Sequence, residues 1–418
     1  MLAMMISACS REVSQPLRIG VVHSLTGTMA INEAPLVEAV RMAADEINQQ
    51  GGVLGRRLEV VVADSRSQPA QAAMEAERLI RRERVDVLFA CWTSSCRQAV
   101  KPVVEKYQHL MFYPVQYEGL ELSPNIVYTG STANQQIIPG TQWALQNLPH
   151  NKAAKQTTTQ TTTQTTKRIF IIGSDYIFPR LASHIIRDVA RMKNAQIVGE
   201  MYRPLGSDDF IGVAEAIHQA NPDVVINCLN GDSNVAFFSA LQDAGLHHLP
   251  VMSFSVDTNG LRALEPIGHA EHYAVWGYFQ DLAGDENKRF VSAWRAWQHK
   301  HFQHNGVNVP LSDPIEAAYI GVKLWAQAVT AAGSAQLDVV NLAITRQTVQ
   351  APSGVLAVDA TSRHLWKPVR IGKSRAQGGF EIVFDLGETL RPEPFPIYRT
   401  REEWLRIVNT VATQIQPD

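Results

Sequence analysis

The 418-residue sequence predicts an α/β protein of two similar lobes, each a doubly wound parallel sheet covered by helices, with a cleft between them. Three observations predict it. Short apolar runs alternate with amphipathic helical stretches along most of the chain, the pattern of parallel sheets wrapped by helices. The series runs twice, from Leu17 and again from Arg168, with a Gln/Thr tract between the two. A chain of 418 residues also exceeds what a single hydrophobic core usually serves.

The first series opens with a strand over Arg18–His23. Leu36, Val40, Ala43 and Ile47 mark one face of a helix, which Gly51 and Gly52 stop. Leu58–Ala63 is a strand, and Ala73, Ala76 and Ile80 place a helix near 70–82. Val85–Ala90 is apolar except for Asp86, as expected of a strand buried on both faces. Thr93, Ser94 or Ser95 caps the next helix, which runs to about Tyr107. Strands follow over Leu110–Tyr113 and Ile126–Thr129, then a helix over 134–147. Residues 156–166 are only Gln and Thr, with no apolar face to bury, and read as a surface insertion.

The second series starts with a strand over Arg168–Ile172. Further strands are expected near 196–201, 223–228, 250–254 and 272–278, with helices near 179–192, 208–220, 233–244 and 258–264. Long helices follow over about 285–303, 313–332 and 336–347. The end is β-rich, at Gly354–Val358, Lys367–Ile371 and Phe380–Phe384, and 401–418 reads as a C-terminal tail.

Hydrophobic residues make up 45% and charged residues 19%, so the chain has the composition of a folded globular protein. A net charge of −2 gives no reason to expect nucleic acid or an anionic membrane surface as a partner. There is no dinucleotide fingerprint, no nucleophile elbow and no metal-ligand cluster. Gly51, Gly52 and Gly55 form a turn and not a phosphate loop, because no Lys-Ser/Thr follows. The sequence therefore predicts no enzyme, no metal and no cofactor. Cys91, Cys96 and Cys228 lie in or beside apolar runs and read as small buried residues, with a 91–96 disulfide as the alternative. Ile6-Ser7-Ala8-Cys9 resembles a bacterial lipobox, which would lipidate Cys9 and leave residues 1–16 as leader remnant and tether.

Three runs point to one binding site. They are Cys-Trp-Thr-Ser-Ser at 91–95, Phe-Tyr-Pro-Val-Gln-Tyr-Glu-Gly at 112–119 and Gly-Ser-Asp-Tyr-Ile-Phe-Pro at 173–179. Each follows a strand-like run, and open α/β sheets bind ligands outside the carboxyl ends of their strands. Rings for flat faces and hydroxyls for edges suit a small, polar, uncharged ligand. None of the three runs contains an arginine or lysine to hold a carboxylate.

These runs, with His-Ser-Leu-Thr-Gly-Thr-Met-Ala at 23–30, Glu-Ile-Asn-Gln-Gln-Gly-Gly-Val-Leu-Gly at 46–55, Asn-Gly-Asp-Ser-Asn-Val at 230–235, Ala-Pro-Ser-Gly at 351–354 and Arg-Pro-Glu-Pro at 391–394, carry a resemblance. The chain resembles the type I periplasmic binding proteins of the branched-chain amino acid group, and within them the urea- and short-chain-amide-binding proteins of ABC transporters. The resemblance spans about 17–398. It implies two lobes joined by three crossovers, lobe one holding 17–148 and 277–350, and lobe two holding 167–276 and 351–400. Residues 149–166 would be a loop between them, and hinge segments would lie near 147–167, 276–280 and 349–353. It also implies closure on ligand and delivery to ABC permease subunits in the periplasm, with the membrane touched only through a lipid on Cys9. A cytosolic amide sensor controlling an amidase-type operon is the alternative. One departure stands out: the acidic cluster expected after Phe254-Ser255-Val256 is replaced by Asp257-Thr258-Asn259-Gly260.

Urea offers several N–H donors and one carbonyl, so a dry site must supply mostly acceptors. Thr93 and Ser94, at a helix start, can meet the ligand carbonyl with hydroxyl and backbone N–H, or simply cap the helix. Trp92 and Tyr113 are walls or core aromatics. Pro114 and Val115 border the site, Val115 through its backbone alone. Tyr176 reaches in from the other lobe. Gly231 and Asp232 bring a carboxylate that accepts amide N–H groups or caps the next helix. Ser24 lines the same cleft, and Asp257 is a further candidate.

Overall fold

The computed structural model describes residues 15–150, 166–265, 267–268, 271–301 and 308–415. Cys9 and almost all of the Gln/Thr tract lie outside the described residues. In the first series the elements are β1 (Leu17–His23), α1 (Ala30–Gln49), β2 (Leu58–Asp64), α2 (Pro69–Arg78), β3 (Val87–Ala90), α3 (Ser94–Lys106), β4 (Met111–Tyr113) and β5 (Ile126–Tyr128). Among the described residues these strands form a five-stranded sheet in the order β2-β1-β3-β4-β5. β1 pairs in parallel on both sides, and Leu17, Ile19, Val21 and Val22 are wholly buried, as central parallel strands require.

The second series gives α4 (Ile137–Asn147), β6 (Arg168–Ser174), α5 (Ile177–Met192), β7 (Gln196–Arg203), α6 (Ile211–Ala220), β8 (Val224–Cys228), α7 (Ser233–Asp243), β9 (Val251–Ser253), α8 (Thr258–Leu264) and β10 (His272–Trp276). Then come α9 (Asp285–His301), α10 (Asp313–Ala332), α11 (Leu337–Ala343), β11 (Thr348–Ala351), β12 (Gly354–Val358), β13 (Leu365–Ser374), β14 (Phe380–Leu390) and α12 (Arg401–Gln414). Strands β6 to β14 form a nine-stranded sheet among the described residues, parallel from β7 through β6, β8 and β9 to β10 and antiparallel beyond.

Packing moves two of the expected lobe divisions. Ala133, Ile137, Ala144 and Leu148 pack into the core of the second series, so the first crossing follows Tyr128 and does not wait for residue 148. Val349, Leu356, Val358 and Leu365 pack into the first core, whereas Val369 and Ile371 pack into the second. The third crossing is thus a continuous strand, β13, and not the 349–353 segment. Of the expected 401–418 tail, Arg401–Gln414 is a packed helix. Thr400 and Glu403 form a reciprocal capping box that starts α12, and Trp404 and Val411 bury its inner face.

The three crossings meet at one buried ion pair. Lys367 Nζ lies 2.8 Å from Asp313 Oδ1, with both side chains fully buried, and 3.3 Å from the Thr129 carbonyl. A Cβ on Gly277 would stand 2.9 Å from Asp313 Oδ2 and 3.0 Å from Lys367 Cε, so the second crossing passes hard against the same pair. Glu316 lies a helical turn beyond Asp313 and accepts the Ser353 N–H at 2.8 Å. Burial pushes its carboxyl from the ordinary 4.5 up to about 7, against the opposing pull of Lys367. The folded protein therefore keeps a proton that the unfolded chain releases near pH 4.5. The stability this group contributes falls as pH rises from there to about 7 and is gone above it. Glu316→Gln cannot titrate. Its melting temperature should gain on the parent's between about pH 5 and pH 8; two parallel curves would contradict the assignment.

Candidate functional site

The site begins where β3 ends. Cys91 takes a left-handed backbone, φ +71°, and bonds to Cys96 with the two Cα atoms 5.5 Å apart. This corrects the expectation that both are free thiols: the turn folds back on the first turn of α3 and brings the sulfurs together. Cys228 is free and buried, as expected. The disulfide encloses Trp92, Thr93, Ser94 and Ser95. Thr93 is the N-cap, its hydroxyl accepting the Cys96 N–H at 3.2 Å. Helix geometry leaves the amides of the first turn without intrahelical partners and puts the positive end of the helix dipole there.

Ser94 is committed to a buried network. Its hydroxyl donates to Glu118 Oε2 at 2.7 Å and accepts from Arg97 Nη1 at 2.9 Å. Arg97, fully buried, also donates to Glu118 Oε1 at 3.0 Å and to Glu121 Oε1 at 3.1 Å. Its guanidinium lies 4.3 Å from the Tyr117 ring centroid and 5.0 Å from that of Tyr113. Tyr113 donates its hydroxyl proton to the Trp92 carbonyl at 2.6 Å. Val115 presses its carbonyl against Gly130, where a Cβ would come within 2.0 Å, and Pro114 is buried beside it. The sequence reading missed Arg97 and Glu118. The signal was present: Arg97 follows Ser94 by three positions, one helical turn, and Glu118 stands inside the second run.

Strands β6, β8 and β9 end toward the same place. Tyr176, at the start of α5, is buried, and burial pushes its phenol well above the ordinary range. Its ring lies beside that of Phe178, with centroids 6.4 Å apart, in the second core. Asn230 Oδ1 accepts the Trp92 indole N–H at 3.1 Å across the cleft. Gly231, at φ +66°, would bring a Cβ to 2.9 Å from the Thr28 carbonyl. Asp232 accepts the Thr28 hydroxyl, so this carboxylate ties lobe to lobe, and its side chain does not make the helix cap expected of it. Asn259 Nδ2 donates to the Ile31 carbonyl at 2.5 Å. The lobes are closed on one another.

Two buried glutamines bridge the same strand ends. Gln116 Nε2 donates to the Phe254 carbonyl at 2.8 Å, and Gln136 Nε2 to the carbonyls of Val275 at 2.8 Å and Phe254 at 3.1 Å. Facing carbonyls fix the amide orientations, and both Oε1 atoms are buried without a hydrogen-bond partner among the described residues. Two further expected site residues are hydrogen-bonded into the scaffold. Ser24 exchanges hydrogen bonds with Glu33 and Ser65, both at 2.8 Å, and Glu33 also holds His23. Asp257 N-caps α8 by accepting the Gly260 N–H at 2.7 Å, with burial raising its pKa.

A family model described as a periplasmic binding protein domain matches residues 17–401. The chain belongs to that family. A solved relative of the periplasmic binding protein fold, the solute binding protein of an ABC transporter from Rhodopseudomonas palustris BisB5 in complex with 3,4-dihydroxy benzoic acid, superposes with a TM-score of 0.76 at 20% identity, covering 90% of this chain and 98% of that one. Among curated proteins, the Leu/Ile/Val-binding protein BraC3 of Rhizobium johnstonii is 25% identical over 144 residues, 33% of this chain. A protein of Geobacillus stearothermophilus named limonene hydroxylase is 26% identical over 125 residues, 30% of this chain. The matches span only 38% and 22% of those two proteins' own lengths. No helix among the described residues is long and apolar enough to cross a membrane.

Proposed function

We propose that this periplasmic binding protein captures urea or a short-chain amide between its lobes, outside the cytoplasm, and hands it to the permease subunits of an ABC transporter. One observation carries the ligand class. Arg97, the buried cation at the site, is committed to two carboxylates and a hydroxyl. A carboxylate ligand such as an aromatic acid or an amino acid would meet Glu118 and Glu121 before it met free positive charge, and juxtaposed like charges cost several kcal/mol. An amide meets no such penalty. The unpartnered oxygens of Gln116 and Gln136 suit its N–H groups, and each would otherwise cost about 1–3 kcal/mol left buried and unpaired. Trp92, Tyr113 and Tyr176 supply walls for a planar molecule, and the first amides of α3 a partner for its carbonyl.

The Cys91–Cys96 disulfide supports the extracytoplasmic reading over a cytosolic amide sensor, because structural disulfides persist in oxidising compartments. A lipid on Cys9 would keep the protein beside its permease. Thermal-shift measurements against urea, formamide, acetamide, propionamide, benzoate, leucine and isoleucine test the ligand class. Stabilisation by one or more of the amides is expected. Stabilisation by benzoate or leucine with no response to the amides would overturn it.

A further inference from the structure

The loop that carries Glu118 and Glu121 has an unusual backbone. Between those two residues lie Gly119 at φ +76° and Leu120 at φ +60°, both left-handed, and leucine rarely adopts that region. The double reversal lets both carboxylates turn back onto one guanidinium. A cavity of about 230 Å³ lies behind the loop, bordered by Arg97, Leu120, Leu181 and Leu405.

The segment leading into α12 holds the reversal. The Leu120 N–H donates to the Pro394 carbonyl at 2.7 Å, and a Cβ on Gly119 would stand 2.4 Å from the same oxygen. Pro394 is fixed on both sides. Upstream, Asn134 donates to the Arg391 carbonyl at 2.8 Å and accepts the Glu393 N–H at 2.9 Å. Downstream, Arg399 makes a two-pronged pair with the buried Asp188 of α5 at 2.6 and 2.7 Å, and the Trp404 indole donates to the Pro396 carbonyl at 2.8 Å.

We infer that residues 391–404 form a strap that positions the ligand site from behind, with Pro394 holding the Gly119–Leu120 reversal and Arg399 anchoring the strap to α5. The strap touches no ligand. It acts through Glu118 and Glu121 on Arg97, and through Arg97 on Ser94. The inference rests on the reading of the Arg97 network as part of the ligand site.

The test uses the full chain with Arg399→Met, Arg399→Lys and Gly119→Ala. The first readout needs no ligand: the Arg97 Nε–H proton resonance and its exchange rate. Arg399→Met and Gly119→Ala should shift that resonance and speed its exchange at least tenfold, while Arg399→Lys, which keeps one charged contact to Asp188, should stay close to the parent. The second readout is acetamide affinity, which should fall at least tenfold in the first two variants and recover in Arg399→Lys. If Arg399→Met folds and leaves the Arg97 resonance and its exchange unchanged, the strap inference is wrong whatever the ligand. If the parent protein does not bind acetamide but the resonance responds as described, the strap stands and the amide reading falls.

Discussion

Replacing Arg97 with leucine should cost about 3–5 kcal/mol of folding stability, the usual penalty for removing one partner of a buried ion pair. The reason is what remains. Glu118 and Glu121, 1% and 13% exposed in their side chains, would face each other with no cation between them. Ser94 would also lose a donor, and the Tyr113 and Tyr117 rings would lose the guanidinium against their faces. Adding Glu118→Gln to Arg97→Leu should recover part of the loss, because one buried charge then disappears. Thermal unfolding followed by circular dichroism measures both without adding a denaturant that is itself a proposed ligand. A single variant within about 1 kcal/mol of the parent, the range of exposed ion pairs, would mean that the network is solvated and cannot act as an electrostatic filter.

Trp92→Ala and Tyr176→Ala should each weaken ligand binding by about 2 kcal/mol or more, roughly 30-fold, as truncation of a central buried aromatic does. The two residues stand on opposite lobes. Trp92 has a second role, since its indole N–H joins the lobes through Asn230. Trp92→Phe separates the two effects: it keeps an aromatic wall and loses only the hydrogen bond, about 0.5–1.5 kcal/mol. Calorimetric titration that finds parental affinity in both alanine variants would place the ligand elsewhere.

Most of the fold was legible because parallel strands buried on both faces leave long apolar runs, and the predicted helix over 258–264 matches α8 in its bounds. What was missed has physical causes. β11 is only Thr348–Ala351 and alternates exposed and buried residues, too short a pattern to stand out. The third crossing runs inside one continuous strand, so no composition change marks it. α12 carried a readable signal, the capping box Thr400-Arg401-Glu402-Glu403 ahead of Trp404, Ile407 and Val411, that was passed over.

At the site, position along the chain was informative and partnership was not. Trp92, Ser94, Tyr113 and Tyr176 could be proposed for the site because they stand at or just beyond strand ends. What Ser94 or Asp232 bonds to depends on residues 24 and 204 positions away, and no local pattern encodes that. Arg97 stands two residues beyond the 91–95 run, inside α3, where the strand-end pattern does not mark it. Under the proposed amide reading its effect on ligand choice is opposite to what a lone arginine would suggest, since two glutamates pair with it.

The central claim is that the site accepts a neutral amide and rejects the carboxylate of the same shape. Acetamide and acetate form such a pair, and titrating each into the purified protein by calorimetry at neutral pH isolates the charge. Like-charge juxtaposition worth several kcal/mol predicts that acetamide binds tighter by roughly 100-fold or more. Acetate binding as tightly as acetamide, or tighter, would contradict the account.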